Sequence, residues 1–169
     1  MKKTLLLINF LVIILSCGVK KSEIVQQSET EQVNQLLNQW HKDVASFQFD
    51  AYFDKMTSDA VFVGTDASEV WTKNEFMTFS RVFFEKKQTW DFKPLERHIY
   101  MDDKSKLAWF DETLDTWMGV CRGSGVVVKT DNNWKIQHYV LSIVVPNEDV
   151  QAVTKLKKVR DSLYIAKFN

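Results

Sequence analysis

From Val33 onward, apolar side chains return every three or four positions: Val33, Leu36, Leu37, Trp40, Val44 and Phe47. That period lines one face of an amphipathic helix of about four turns. Ser28, followed three residues later by Glu31, offers a capping box for its start. Asp50 is placed to cap a short second helix carrying Tyr52, Phe53 and Met56. After Asp59 the period shortens. Ala60 to Gly64 reads as a strand with a turn, and Glu69 to Trp71 as a candidate second strand. Thr72 and Glu75 form another capping box, with Trp71 and Phe76 as the hydrophobic staple beside it. A helix is therefore expected from Lys73 to about Glu85, with Phe76, Phe79 and Phe83 along one face.

The remainder alternates like β-structure: Thr89 to Met101, Leu107 to Trp117, Cys121 to Thr130 and Trp134 to Val145, separated by short turn-forming segments. Successive strands joined this way make an antiparallel meander. After Pro146, Asn147 can cap a last helix. Its acids, Glu148 and Asp149, fall in the first turn, and Lys157, Lys158 and Arg160 towards the end, as the helix dipole favours. Val150, Val153, Leu156, Val159 and Leu163 give it a narrow apolar stripe. The expected class is α+β, a curved antiparallel sheet wrapped around N-terminal helices with an extra C-terminal helix. A pocket belongs at the wide end of such a sheet.

Side chains alternate across a strand, so the turn at Asp131-Asn132-Asn133 decides which residues share a face. A three-residue loop pairs Thr130 with Trp134, Val128 with Ile136, Val126 with His138, Ser124 with Val140 and Arg122 with Ser142. Arg122, Ser124, His138 and Ser142 then lie together on the concave face as candidate ligand-binding residues. Lys135, Gln137, Tyr139, Leu141 and Ile143 fall on the outer face, where with Val127 they would form a dimerising surface unless the last helix covers it. On the preceding strand Asp111 and Glu112 point to opposite faces. Trp109 and Asp111 are the chosen inward pair, an aromatic wall beside an acid. Asp111 and His138 are the candidate catalytic groups. Arg122 and His138 are equally compatible with plain structural pairing.

Composition narrows the function classes. The chain has 169 residues, enough for one domain, and its 22 basic and 22 acidic residues balance, which leaves no field for nucleic acid. Lys2 and Lys3 precede an apolar run too short to span a bilayer, and Ile14-Leu15-Ser16-Cys17 resembles a bacterial lipobox. The expected organisation is a signal peptide over 1–16, a tether over 17–28 lipidated at Cys17, the domain over 29–146 and the C-terminal helix over 147–169. A plain secretory signal cut near Ser16 is the alternative. The implied location is the bacterial envelope, with the membrane reached through the N-terminal lipid. Acylation leaves Cys121 without a partner, and a buried thiol is expected there. The three histidines lack ligand spacing, so no metal site is expected, and Arg122-Gly123-Ser124-Gly125 is not followed by a helix, so no phosphate loop or cofactor is either. Gly123 and Gly125 are expected to permit a bulge or bend.

The segments Ala108-Trp109-Phe110-Asp111-Glu112, Cys121 to Val126, Trp134 to Tyr139 and Leu141 to Asn147, with Phe62 to Asp66 and Trp71-Thr72-Lys73, resemble the SnoaL-like branch of the nuclear transport factor 2-like superfamily. The resemblance runs from about Glu29 to Asn147 and implies a cone-shaped fold with a pocket at its open end and frequent dimers. Relatives include isomerases, cyclases and dehydratases as well as non-catalytic binding domains. Where relatives often carry a second histidine this chain has Val140. Three functions follow as expectations: a lipid-anchored, non-catalytic binder of a small apolar or carbonyl-containing ligand; an isomerase, cyclase or dehydratase using a pocket acid; or a dimerising structural domain of an envelope assembly.

Overall fold

The computed structural model describes residues 28–102, 106–131 and 133–169. The signal peptide, Cys17 and all of the tether but its last residue lie outside them. Helix α1 spans 28–45 and is followed by α2 (Phe49–Asp54), β1 (Met56–Val63), β2 (Val70–Thr72), α3 (Lys73–Glu85), β3 (Lys93–Met101), β4 (Leu107–Thr116), β5 (Gly119–Thr130) and β6 (Asn133–Ile143). A 3-10 turn at Asn147–Asp149 leads into α4 (Val150–Ile165).

The architecture is α+β: a curved six-stranded sheet in the order β2-β1-β6-β5-β4-β3, with α1 to α3 packed on one face. Strands β3 to β6 form the expected antiparallel meander. The β1 strand joins it in parallel to β6, a pairing that local periodicity does not reveal.

Local chemistry explains most element boundaries. Thr72 Oγ1 accepts from the Glu75 amide, while Glu75 Oε2 accepts from the Thr72 amide at 2.8 Å. Trp71 stacks on Phe76 at 5.6 Å, completing the staple. The buried side of α3 is Phe76, Ser80 and Phe84, while Phe79 and Phe83 are turned outward. Phe84 is drawn in by an edge-to-face contact with Phe49 at 5.2 Å. Residue 28 is already helical rather than a cap, and Gln48 instead of Asp50 occupies the N-cap position of α2. Val33, Leu37, Trp40 and Val44 of α1 are fully buried, as the helical period predicts. By contrast, α4 buries none of its residues, and Leu156 is 81% exposed.

The β5–β6 hairpin departs from the expected loop in an informative way. Its turn is tighter, pairing Thr130 with Asn133 and Lys129 with Trp134. A bulge then places one extra residue, Gln137, between Ile136 (opposite Val127) and His138 (opposite Val126). Beyond the bulge the expected pairs return: Val126 with His138, Ser124 with Val140 and Arg122 with Ser142. The bulge also switches the parity of β6, so Trp134, Ile136, Tyr139 and Leu141 all face the helices.

Candidate functional site

The parity of the sheet decides which residues line the interior. Trp109, Asp111, Arg122, Ser124, His138 and Ser142 do share one face, but it is the outer face, and the helices pack on the other. Trp109 is 46% exposed. Asp111 is met from β3, by Tyr100 Oη and His98 Nδ1, both at 3.2 Å. Tyr100 stacks on Trp109 with ring centres 5.8 Å apart. Arg122 forms no ion pair with Asp111; it lies exposed beside Thr113. The inward placement of Asp111 and the polar cluster is thus corrected, because Ala108, Phe110 and Leu114 carry Glu112 inward with them.

Glu112 has no solvent exposure and is hydrogen-bonded by three side chains. Its Oε2 accepts from Arg97 Nε at 2.8 Å and from an Arg97 terminal nitrogen at 2.7 Å, two charge-assisted bonds converging on one oxygen. Its Oε1 accepts from Tyr139 Oη at 3.0 Å and lies 2.8 Å from His41 Nε2. An ionised carboxylate only accepts, so His41 carries a proton on Nε2. The other terminal nitrogen of Arg97 reaches Asn34 Oδ1 at 2.7 Å and Asn38 Oδ1 at 2.8 Å. Burial pushes the Glu112 carboxyl up, but His41 and Arg97 more than offset it and hold it below the ordinary range. Burial, followed by the adjacent Glu112 charge, pushes the Tyr139 hydroxyl well up.

A backbone feature makes this meeting possible. A Cβ on Gly123 would overlap the Tyr139 hydroxyl, and one on Gly125 would overlap the His138 backbone carbonyl and lie 2.9 Å from the Phe110 ring. Gly123 gives clearance to a side chain crossing the sheet's inner face, and Gly125 gives clearance to Phe110 and to the backbone of β6 at its bulge. Sequence reasoning missed this network, although Asn34, Asn38 and His41 recur at spacings of four and three beside the apolar stripe of α1.

The second feature is a cavity of about 170 Å³ between α3, β1 and the β4–β5 turn. Phe62, Trp71, Phe76, Phe79, Trp90 and Phe92 form its aromatic walls, and among the described residues Glu69 is the sole ionisable one along it. Glu69 Oε2 accepts from the Asp66 amide at 3.1 Å and packs where a Cβ on Gly64 would otherwise sit. Neither Asp111 nor His138 lines this space, and Glu112 does not either.

Known proteins agree with this architecture. The SnoaL-like domain family matches residues 33–146. An NTF2-like protein of unknown function from Pseudomonas putida KT2440 superposes with a TM-score of 0.60 at 12% identity, covering 72% of this chain and 91% of that one. A candidate dehydratase of the NTF2-like family from Streptomyces avermitilis gives 0.61 at 14% identity, covering 71% and 99%. A candidate aromatic-ring hydroxylase from Novosphingobium aromaticivorans gives 0.53 at 17% identity, covering 68% and 87%. These likenesses concern the fold. A search of curated proteins finds no match to the sequence. With the family match spanning most of the described residues, the chain belongs to the SnoaL-like domain family, and it shares the fold of these NTF2-like structures.

Proposed function

We infer that this is a lipid-anchored envelope protein whose SnoaL-like domain binds a small apolar or carbonyl-containing ligand in the aromatic cavity without turning it over. One observation carries the reading: the space is walled by aromatic rings, whereas Glu112, the fully buried acid under α1, already accepts from three side chains and does not line it. A base needs a free lone pair within reach of substrate, and Glu112 offers none. Asp111 and His138, the catalytic candidates from sequence, sit on the outer face away from the cavity. An enzyme of the isomerase or dehydratase kind would have to use Glu69, the acid on the cavity wall.

Trp71, Trp90 and Trp117 line the cavity and give its occupancy an optical signal. Titration of the full chain with small aromatic alcohols should change tryptophan emission saturably, and Phe76→Trp, which fills the space, should abolish the change. Absence of any saturable response in the parent protein removes the binding reading. Anchoring rests on the lipobox-like Ile14-Leu15-Ser16-Cys17. Cys17→Ser should move the protein from the membrane pellet to the soluble fraction; a variant that stays in the pellet refutes lipidation. Self-association through the outer sheet face belongs to the same reading. Val127, Tyr139 and Leu141 are buried and Ile143 pairs with the inward-facing Cys121, so none of the four can take part, but Tyr100, Trp109 and Val120 are exposed on the outer face. Sedimentation at micromolar concentration tests it, since a monomer excludes that dimer.

A further inference from the structure

The C-terminal helix lies beyond the part of the chain that matches the family, which ends at residue 146. It does not serve the core, because none of its side chains is buried. One hydrogen bond, from Tyr164 Oη to the Ala67 carbonyl at 3.0 Å, ties it to the β1–β2 loop. What it does create is a wall. Between α4, the β1–β2 loop and the end of β6 runs a groove of about 750 Å³. Gly64, Thr65 and Leu141 line both this groove and the aromatic cavity, so the two spaces meet at a shared rim.

Their chemistry differs. The cavity is walled by aromatic rings, whereas α4 presents Lys157 and Arg160 to the groove, joined by Lys167 just past its end. Two acids lie along it, and both are engaged. Asp161 is 3.6 Å from Lys157, and Asp66 Oδ1 accepts from the Ser68 amide at 2.9 Å and from its hydroxyl. Lys167 lies over the Tyr164 ring at 5.2 Å. Arg160 has no ion-pair partner among the described residues, and a guanidinium is the side chain best shaped to take a carboxylate or similar oxyanion with two hydrogen bonds.

We propose that the ligand is an amphiphilic anion: a body of about one aromatic ring or a short aliphatic chain in the cavity, joined by a linker across the Gly64–Leu141 rim to an oxyanion held by Arg160 in the α4 groove. The body size follows from volume, since an apolar cavity of about 150 Å³ accepts benzene and this one measures 170 Å³. The inference rests on the cavity being the binding site and adds the charge of the ligand and the residue that reads it. It gives the appended helix a role that neither core packing nor the family domain supplies.

Calorimetric titration of the full chain with phenylalkanoates of increasing chain length, each paired with the phenylalkanol of the same length, separates the two claims. For the chain length that spans the rim, the carboxylate should bind about tenfold more tightly than its alcohol, the gain expected of a charge-assisted hydrogen-bonded pair. In Arg160→Gln that ratio should fall to near one, and so should raising the salt concentration reduce it. Arg160 is exposed, so the substitution leaves the fold intact, which circular dichroism verifies. Equal binding of acid and alcohol at every length would overturn the oxyanion subsite while leaving the cavity reading standing. A carboxylate advantage that survives in Arg160→Gln would overturn the assignment to α4. If neither series binds, the cavity reading falls and this inference falls with it.

Discussion

Asp111 and Glu112 are adjacent in β4, yet they inhabit opposite environments. Asp111 lies on the outer face, a third exposed, with hydrogen bonds of 3.2 Å from His98 and Tyr100. Glu112 lies under α1 with no exposure, held at 2.7 to 3.0 Å by Arg97, His41 and Tyr139. The contrast teaches that carboxylate chemistry in this sheet is set by the face and by what crosses the core to meet it. A buried charge is tolerated only with complete pairing, and α1 completes it by lending Asn34 and Asn38 to the far side of Arg97. On the outer face, water does most of that work, and the same side-chain type contributes little.

The contrast breaks most sharply at Arg97. Arg97→Ala leaves Glu112 buried beside a vacated cation site and should cost roughly 3–5 kcal/mol in urea denaturation. Arg97→Met combined with Glu112→Leu should recover much of that loss, because apolar replacement of both partners removes the unpaired charge. A double variant as unstable as the single one would mean the pair also orders α1 through Asn34 and Asn38.

Gly123→Ala comes next. The added methyl meets the Tyr139 hydroxyl and comes 3.1 Å from Glu112 Cγ, so Tyr139 must retreat, at about 1–3 kcal/mol. The neighbouring Ser124→Ala on the outer face should stay within about 0.5 kcal/mol. Equal costs at the two positions would contradict the assignment of faces.

The pH dependence sharpens the comparison further. Glu112 titrates below its ordinary value of 4.5 in the folded protein, so the unfolded chain binds more protons in acid. The stabilisation is complete above that value and drains away as pH falls through the lower folded one. Glu112→Gln should flatten this acid limb in melts taken across the acid range. An unchanged limb would show that other carboxylates govern acid unfolding.

The smallest effect belongs to the outer face. Asp111→Asn and Arg122→Ala should each shift stability by less than about 0.5 kcal/mol and combine additively, since the two do not pair. A coupling above that level would place them in contact.

Much of the fold was legible in advance, for local reasons. The α3 capping box and staple use residues within five positions of one another, so Thr72, Glu75, Trp71 and Phe76 announce the helix start without help from the rest of the chain. The α1 stripe and the buried Cys121 are equally local. In β4, Ala108, Phe110 and Leu114 form a more apolar set than Trp109, Asp111, Thr113 and Asp115, so the inward position of Glu112 was also written there. Choosing Trp109 and Asp111 weighed one aromatic–acid pair above the whole strand.

Strand alternation by itself grouped Arg122, Ser124, His138 and Ser142 on one face, but the bulge moved Ile136, expected beside them, to the other. Which face turns inward was decided only in the tertiary structure. The β5 strand keeps Val126 and Val128 on its outer side and turns Gly123 and Gly125 to the core, because Tyr139, Phe110 and the His138 carbonyl need the space. The bulge at Gln137 and the parallel pairing of β1 with β6 follow from packing between distant segments as well. The buried acid likewise depends on His41, 71 positions away in the chain, and on Arg97, 15 positions away. Period and capping are properties of neighbouring residues, whereas the cost of burying a glutamate is met only when remote partners arrive together.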